Sequence, residues 1–351
     1  MTNLALGLAA LAEVRAIDAL TRRFPRHPEQ WNRPHEADAE IVKLTALGPD
    51  TYLAATIDGI ANEWTSGFFK DPYTAGWVLV QSNLSDLAAV GAAPIGLLSA
   101  LAFPPGSTEL ASRLAEGIAD ALAACGVAAL GGDLNEGPAP AMTACAIGLV
   151  TGRPVGRTGI QPGDGLWATG PLGAGNALAI VQLMGLPPAL APESAYRPQA
   201  RLAEGQALRP FARAMMDTSD GPMSTLDHLA RLNGVGMRID FDPDRLVEPR
   251  VLAAFRSAGL PAWPLLCGEH GEYELMVAIP PDAEAGLLAA APQATRLATA
   301  TAEPGLMAVL PDGREVPFDG GYIRNLPERT QGDWKAYAEA FQAFGAGLGL
   351  P

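Results

Sequence analysis

Aspartates recur in this chain where an apolar stretch gives way to small or polar residues. Asp58 closes Ala55-Thr56-Ile57-Asp58-Gly59, Asp86 sits in Asn83-Leu84-Ser85-Asp86, Asp133 follows Gly131-Gly132, and Asp217 and Asp220 enclose Thr218-Ser219. Magnesium takes one or two carboxylates and completes its shell with water and substrate phosphates. Aspartates delivered to a common rim would therefore hold magnesium ions against the phosphates of a nucleotide. Gly131-Gly132 would let backbone approach a phosphate or metal closely. Asp217–Asp220 is the densest of the motifs, with two carboxylates and two hydroxyls in succession. Its plain alternative is a helix cap, with Ser219 or Asp220 ahead of a helix that begins near Met223. Taken alone, Asp86 reads as a solvated residue of a helix; only the set gives it a role.

Other residues have weaker claims. Arg157, in the loop Gly152-Arg153-Pro154-Val155-Gly156-Arg157, is either a phosphate partner or a surface cation. Gly170-Pro171-Leu172-Gly173-Ala174-Gly175 lies between an apolar run and a helical one, a place that suits a phosphate at a helix N-terminus. It is neither a Walker loop nor a dinucleotide fingerprint, since no Gly-Lys pair and no Gly-x-Gly-x-x-Gly order is present. The histidines, His27, His35, His228 and His270, show no zinc spacing, and His228 reads as solvated or capping. Glu269, Glu272 and Glu274, with Tyr273, precede an apolar run; they either reach the site or form a solvated strand entrance.

The elements that would carry these residues alternate along the chain. Residues 4–23 read as a helix, 25–36 as a loop, and Ile41–Leu47 with Tyr52–Ile57 as a hairpin about Gly48-Pro49-Asp50, which leaves Asp58 at a strand end. A helix over 74–92 carries Asn83, Ser85 and Asp86. A strand over Ile95–Phe103 and a helix over Ser107–Cys125 follow, with Ser107 or Thr108 as cap and Gly126 as stop. Short strands are expected at Val127–Leu130, running into Gly131-Gly132-Asp133, and at Met142–Thr151. The second half repeats the style, with strands at Leu166–Thr169, Met237–Phe241 and Leu275–Ile279 and helices at Asn176–Met184, Gln199–Ala207 and Ser224–Leu232. The tail from 327 places Trp334, Tyr337, Phe341 and Phe344 at helical spacing, as a packed or interface helix would. The division expected is 1–151 for an N-terminal nucleotide and metal domain, 152–330 for a second α/β domain, and 331–351 for a helical tail.

At 351 residues, 48% hydrophobic and 18% charged, the chain has a globular composition with room for two domains. A net charge of -14 argues against a nucleic-acid surface. An acidic protein that binds phosphates must do so through metal ions, helix N-termini or a few placed cations. Cys125, Cys145 and Cys267 form no Cys-x-x-Cys pair and read as reduced thiols of a cytoplasmic protein. No apolar run approaches the length that spans a bilayer.

Taken in order, the motifs resemble the thiamine-monophosphate kinase family, a branch of the superfamily of aminoimidazole ribonucleotide synthetase, selenophosphate synthetase and the hydrogenase-maturation dehydratase. The matching residues are Thr56-Ile57-Asp58, Asn83 to Pro94, Gly131-Gly132-Asp133, Arg157 with Pro162-Gly163-Asp164, Thr169 to Gly173, Met216 to Gly221, and Glu272-Tyr273-Glu274-Leu275, spread over roughly residues 38–325. The resemblance implies two α/β domains of the aminoimidazole ribonucleotide synthetase type. The N-terminal sheet would form a barrel with its copy in a homodimer, and the C-terminal domain an α/β sandwich. It implies ATP near that interface, several magnesium ions, and transfer of the γ-phosphoryl group to a substrate phosphate. By match, Asp58, Asp86, Asp133, Asp217 and Asp220 would be metal ligands, with Asp38 as remnant of a further acidic motif. Asn83, Ser85, Gly131, Gly132 and Ser219 would border the nucleotide, and Arg157 would contact phosphate. Trp64, Glu272 and Tyr322 would fall on the substrate side.

The chain departs from the pattern there. Ala37-Asp38-Ala39-Glu40 stands for the family's Gly-Asp-Asp-Ala-Ala, Ile60 to Trp64 replaces its Val-Glu-Gly-x-His-Phe, and Gly271 falls where a substrate-facing glutamate is expected. The expectation is a magnesium- and ATP-dependent kinase of a small phosphorylated metabolite, with thiamine monophosphate the nearest acceptor. The alternatives are an ATP-dependent cyclo-ligase or synthetase that activates an amide or carboxylate oxygen, and a nucleotide-binding protein without turnover.

Overall fold

A computed structural model describes residues 7–21, 24–331 and 333–350. Two sheets organise the chain. The first has the order β1-β2-β5-β3-β4, formed by β1 (Glu40–Lys43), β2 (Thr51–Gly59), β3 (Ala93–Phe103), β4 (Ala129–Glu136) and β5 (Ala141–Thr151). Its pairs are antiparallel except β3 with β4. The hairpin expected near Gly48 is present, with Ile41 opposite Ala54. The helix expected over 4–23 is present as α1 (Ala12–Thr21) behind a short 3-10 turn, Leu8–Ala10; residues 4–6 and 22–23 lie outside those described.

One face of this sheet is covered by α3 (Pro72–Ala89), which follows the short α2 (Ala61–Thr65), and by α4 (Thr108–Cys125). Gly126, in the left-handed region, stops α4 as expected, but Ser107 makes no side-chain cap bond. The helix α3 is apolar on nearly every side because it is enclosed on nearly every side. It packs on β2 and β5, on α4, on α6 (Leu202–Leu208), and on two strands of the second sheet. Its crossing with α4 is close because Gly76 and Gly117 lie in the contact. A Cβ at Gly76 would stand 2.1 Å from the Leu114 carbonyl, and one at Gly117 2.0 Å from that of Tyr73.

The second sheet has the order β12-β11-β8-β10-β6-β9-β7. Its strands are β6 (Gly165–Ala168), β7 (Ala214–Asp217), β8 (Gly236–Asp240), β9 (Leu275–Ile279), β10 (Thr295–Thr301), β11 (Gly305–Val309) and β12 (Glu315–Phe318). Only β8 and β11 run parallel. Around it lie α5 (Ala174–Leu183), α7 (Pro222–Asn233) and the C-terminal helix Trp334–Leu348. Residues 295–318 supply three strands that the sequence reading did not resolve. The mixed α/β architecture with two sheets is the class expected.

One expectation fails. The strand expected to end at Leu130 continues to Glu136, so Gly131, Gly132 and Asp133 are paired strand residues and not a loop. Gly132 is required by that pairing, since a Cβ there would lie 2.3 Å from the Ser99 carbonyl.

Candidate active site

Three carboxylates meet where the first sheet faces the second. Asp38, Asp86 and Asp217 each place an oxygen within 4.8 Å of the others. They come from the approach to β1, the last turn of α3 and the end of β7. Burial of α3 on all sides is what carries Asp86 inward, so it is not the solvated helical residue its position suggested. Thr56 Oγ1 donates to Asp86 Oδ2 at 2.5 Å, which fixes α3 to β2 beside the site. Asn83 continues that seam: its Oδ1 accepts from the Asp58 N–H and its Nδ2 donates to the Leu79 carbonyl.

Arg157 is the cation of this cluster. Its guanidinium forks onto Asp38 at 2.9 and 3.1 Å, so the structure pairs it with a carboxylate and does not leave it free for a phosphate. Three carboxylates and one guanidinium leave two uncompensated charges if all are ionised. At about 5 Å and an effective dielectric of about 20, each like-charged pair costs about 3 kcal/mol. Burial and the neighbouring charges accordingly hold Asp86 well above the usual carboxylate range. Burial, with the charge of Asp38, raises Asp217 to about 7, while the Ser219 hydroxyl pulls it back. Asp217 Oδ2 and Ser85 Oγ are buried without a partner. An all-oxygen donor set with an orphaned carboxylate oxygen and two excess charges fits a hard divalent cation such as magnesium.

A second acidic group borders the first. Asp58 and Glu63 are both raised chiefly by burial, and each feels the charge of Asp220. Glu63, on α2, was missed by sequence reasoning; it stands in the segment that departs from the family pattern, where a carboxylate was the available signal. Ser219 Oγ donates to Asp217 Oδ1 at 2.7 Å, and α7 begins at Gly221-Pro222 without a side-chain cap. The capping alternative for Ser219 and Asp220 therefore falls. Arg324 was also missed. Its side chain is largely covered, pairs with Glu13 at 2.7 Å and with Asp220 at 3.3 Å, and lies 3.3 Å from His228 Nδ1. His228 is neither solvated nor capping: it is buried, and burial and neighbouring guanidinium charges push it well below its ordinary value.

The remaining expected residues lie apart from the three aspartates. The strand register puts Asp133 on the face of the first sheet that carries Ile57, Cys145 and Leu98, opposite Asp58. It is exposed and bonds Asn135, and Gly131 and Gly132 share that edge strand, so none of the three joins the cluster. Glu272 is buried, and its Oε1 accepts from the Gly173 and Gly175 N–H groups at 2.6 and 3.1 Å. The start of α5, expected to take a phosphate, is thus already occupied by a carboxylate of the chain. Glu274 accepts from Thr169 and forks with Arg201. Gly271 is packed so closely that a Cβ would fall 1.4 Å from the Thr218 carbonyl oxygen. Trp64 packs against the first core, and the Tyr322 ring stacks on Phe344 of the C-terminal helix with centroids 5.3 Å apart.

These features define the AIR synthase related class, and residues 36–150 match the AIR synthase related protein, N-terminal domain. The chain is 32% identical over 257 residues to the thiamine-monophosphate kinase of Halobacterium salinarum, covering 73% of this chain and 83% of that one. It belongs to the thiamine-monophosphate kinase family. A protein of Thermus thermophilus shares the fold at a TM-score of 0.73 and 28% identity, covering 87% of this chain and 97% of that one. The structure of AaThiL complexed with AMPPCP and TMP shares it at a TM-score of 0.68 and 21% identity, covering 90% and 96%. Among the described residues no helix is long and apolar enough to cross a membrane.

Proposed function

We propose that the chain transfers the γ-phosphoryl group of ATP to the phosphate of thiamine monophosphate, giving ADP and thiamine diphosphate. The observation that carries this reading is the convergence of Asp38, Asp86 and Asp217 within 4.8 Å, in a member of this kinase family. The acceptor phosphate is itself an anionic nucleophile, so no general base has to be found. What the reaction requires is charge neutralisation and in-line positioning. Asp38, Asp86 and Asp217 would hold magnesium, with Asp58, Glu63 and Asp220 next to it. Bound there, the metal would neutralise phosphate charge. Arg157 fixes Asp38, Thr56 fixes Asp86 and Ser219 fixes Asp217, so each carboxylate is oriented before substrates arrive. Because Asp217 is raised to about 7, metal entry displaces a proton near neutral pH.

The enzyme works in this reading as a cytoplasmic homodimer. Supporting it, the uncovered face of the first sheet exposes Ile57 and Leu98, and its edge strand exposes Leu130 and Leu134. Asp133 then faces the partner copy. The test of the function is turnover with ATP and magnesium, with and without thiamine monophosphate, following ADP and the thiamine product. Acceptor-dependent ADP with an equal yield of thiamine diphosphate supports it. ATP binding without acceptor-dependent turnover refutes it.

A further inference from the structure

The N-terminal helix α1 is bound into the molecule at the rim of the acidic site. Leu11 and Val14 anchor it with buried side chains. The Ala12 N–H donates to Asn325 Oδ1 at 3.0 Å, and Asn325 Nδ2 donates to the Ala10 carbonyl at 3.3 Å. The first of these bonds satisfies a donor that a helix start leaves open. Together they seat α1 against the end of the short helix Gly320–Arg324.

Two carboxylates of α1 meet the segments that carry the site's aspartates. Glu13 accepts from Arg324 Nη2 at 2.7 Å, and the same nitrogen stands 3.3 Å from Asp220 Oδ2. Arg324 Nη1 lies 3.3 Å from Nδ1 of the buried His228, so the guanidinium is held on two sides. Among the described residues Asp220 has no other ion-pair partner. Asp18 accepts from His35 Nε2 at 2.9 Å. His35 has a φ of 67°, a left-handed conformation uncommon outside glycine, and stands just ahead of Asp38. In that turn the Glu36 carbonyl accepts from the Arg157 N–H at 2.7 Å.

We propose that α1 completes the metal centre, with Glu13 and Arg324 as positioning residues that hold Asp220 toward the magnesium site. The inference rests on the metal and phosphoryl-transfer reading and adds what orients its half-exposed carboxylate. Outer partners of a metal site fix the orientation of the carboxylates that face the ion. Charge alone gives the opposite sign for Arg324. A guanidinium beside a cation site repels the cation, so its loss would by charge alone tighten magnesium binding. Its loss weakens magnesium binding only if the bond to Asp220 matters more than the repulsion. Glu13 contributes to both effects, because at 2.7 Å it offsets the guanidinium charge and fixes its place.

The test titrates ATP into the full chain by calorimetry at a series of magnesium concentrations, with circular dichroism as the check on folding. Arg324→Gln removes the guanidinium. Glu13→Asp keeps the charge and withdraws the carboxylate, and as an exposed position it remains informative if Arg324→Gln fails to fold. The proposal expects the magnesium needed for half-maximal ATP binding to rise at least about tenfold in Arg324→Gln. It expects a rise in the same direction in Glu13→Asp, and partial recovery in Arg324→Lys. Magnesium dependence equal to or tighter than the wild type in either folded variant, Arg324→Gln or Glu13→Asp, overturns the proposal and leaves the kinase reading intact. Absence of magnesium-dependent ATP binding in the wild type overturns both.

Discussion

Glu272 shows how a residue type can be right about a neighbourhood and wrong about a role. The sequence places it beside a motif that faces substrate, yet its carboxylate closes the start of α5 through two backbone N–H groups. Burial raises it from 4.5 to about 8, with the charge of Glu274 adding to the rise. The folded chain therefore keeps a proton that the unfolded chain loses above about 4.5. In the absence of metal its contribution to stability falls as pH rises from about 4.5 to about 8. The melting temperature of the wild type should drop across that window, and Glu272→Gln should flatten the drop. A profile for this variant that runs parallel to the wild type would show that the proton is not held. Residue identity also did not reveal Arg157's partner, because Asp38 lies 119 positions away and only the fold joins them. Asp58 and Asp217 were legible because each closes an apolar run, whereas Asp86 gained its role from the set and Asp38 from the resemblance. Glu63 was not, since it stands in a segment that departs from the family pattern, and Arg324 was not, since its partners Glu13 and Asp220 are distant in sequence.

Elements were legible where periodicity and punctuation agreed. The β1–β2 hairpin, α4 with its Gly126 stop, and β9 are where the apolar patterns put them. The edge strand β4 was read too short, because Gly131-Gly132 looks like a loop and is a close strand contact with Ser99. Asp133, given a metal role by the resemblance, stands on that edge strand apart from Asp38, Asp86 and Asp217. The correct strand, with the face that bears Leu98, makes a specific prediction. Leu98 is 37% exposed and Ile57 70% exposed on an uncovered sheet face, and large exposed apolar patches mark interfaces. Light scattering should give twice the 36.4 kDa chain mass for the wild type. Leu98→Glu should give a single chain that retains its circular dichroism. A wild type of one chain mass, or an unaltered dimer in the variant, would remove the interface from this face.

At the scale of the molecule, the two sheets matter because the site belongs to neither alone. Asp86 comes from a helix packed on the first sheet and Asp217 from an edge strand of the second, and α3 touches both. The recurring aspartates suggested such convergence, and the ordered resemblance strengthened it, but the place where the two sheets meet is set by the fold alone. The central claim is that this convergence is the metal and nucleotide centre. Calorimetric titration of ATP, with and without magnesium, into the wild type and Asp86→Asn tests it most directly. The account predicts magnesium-dependent binding in the wild type and a loss of at least about tenfold, ~1.4 kcal/mol, in a variant that keeps its fold. Equal affinity in the two proteins would contradict it.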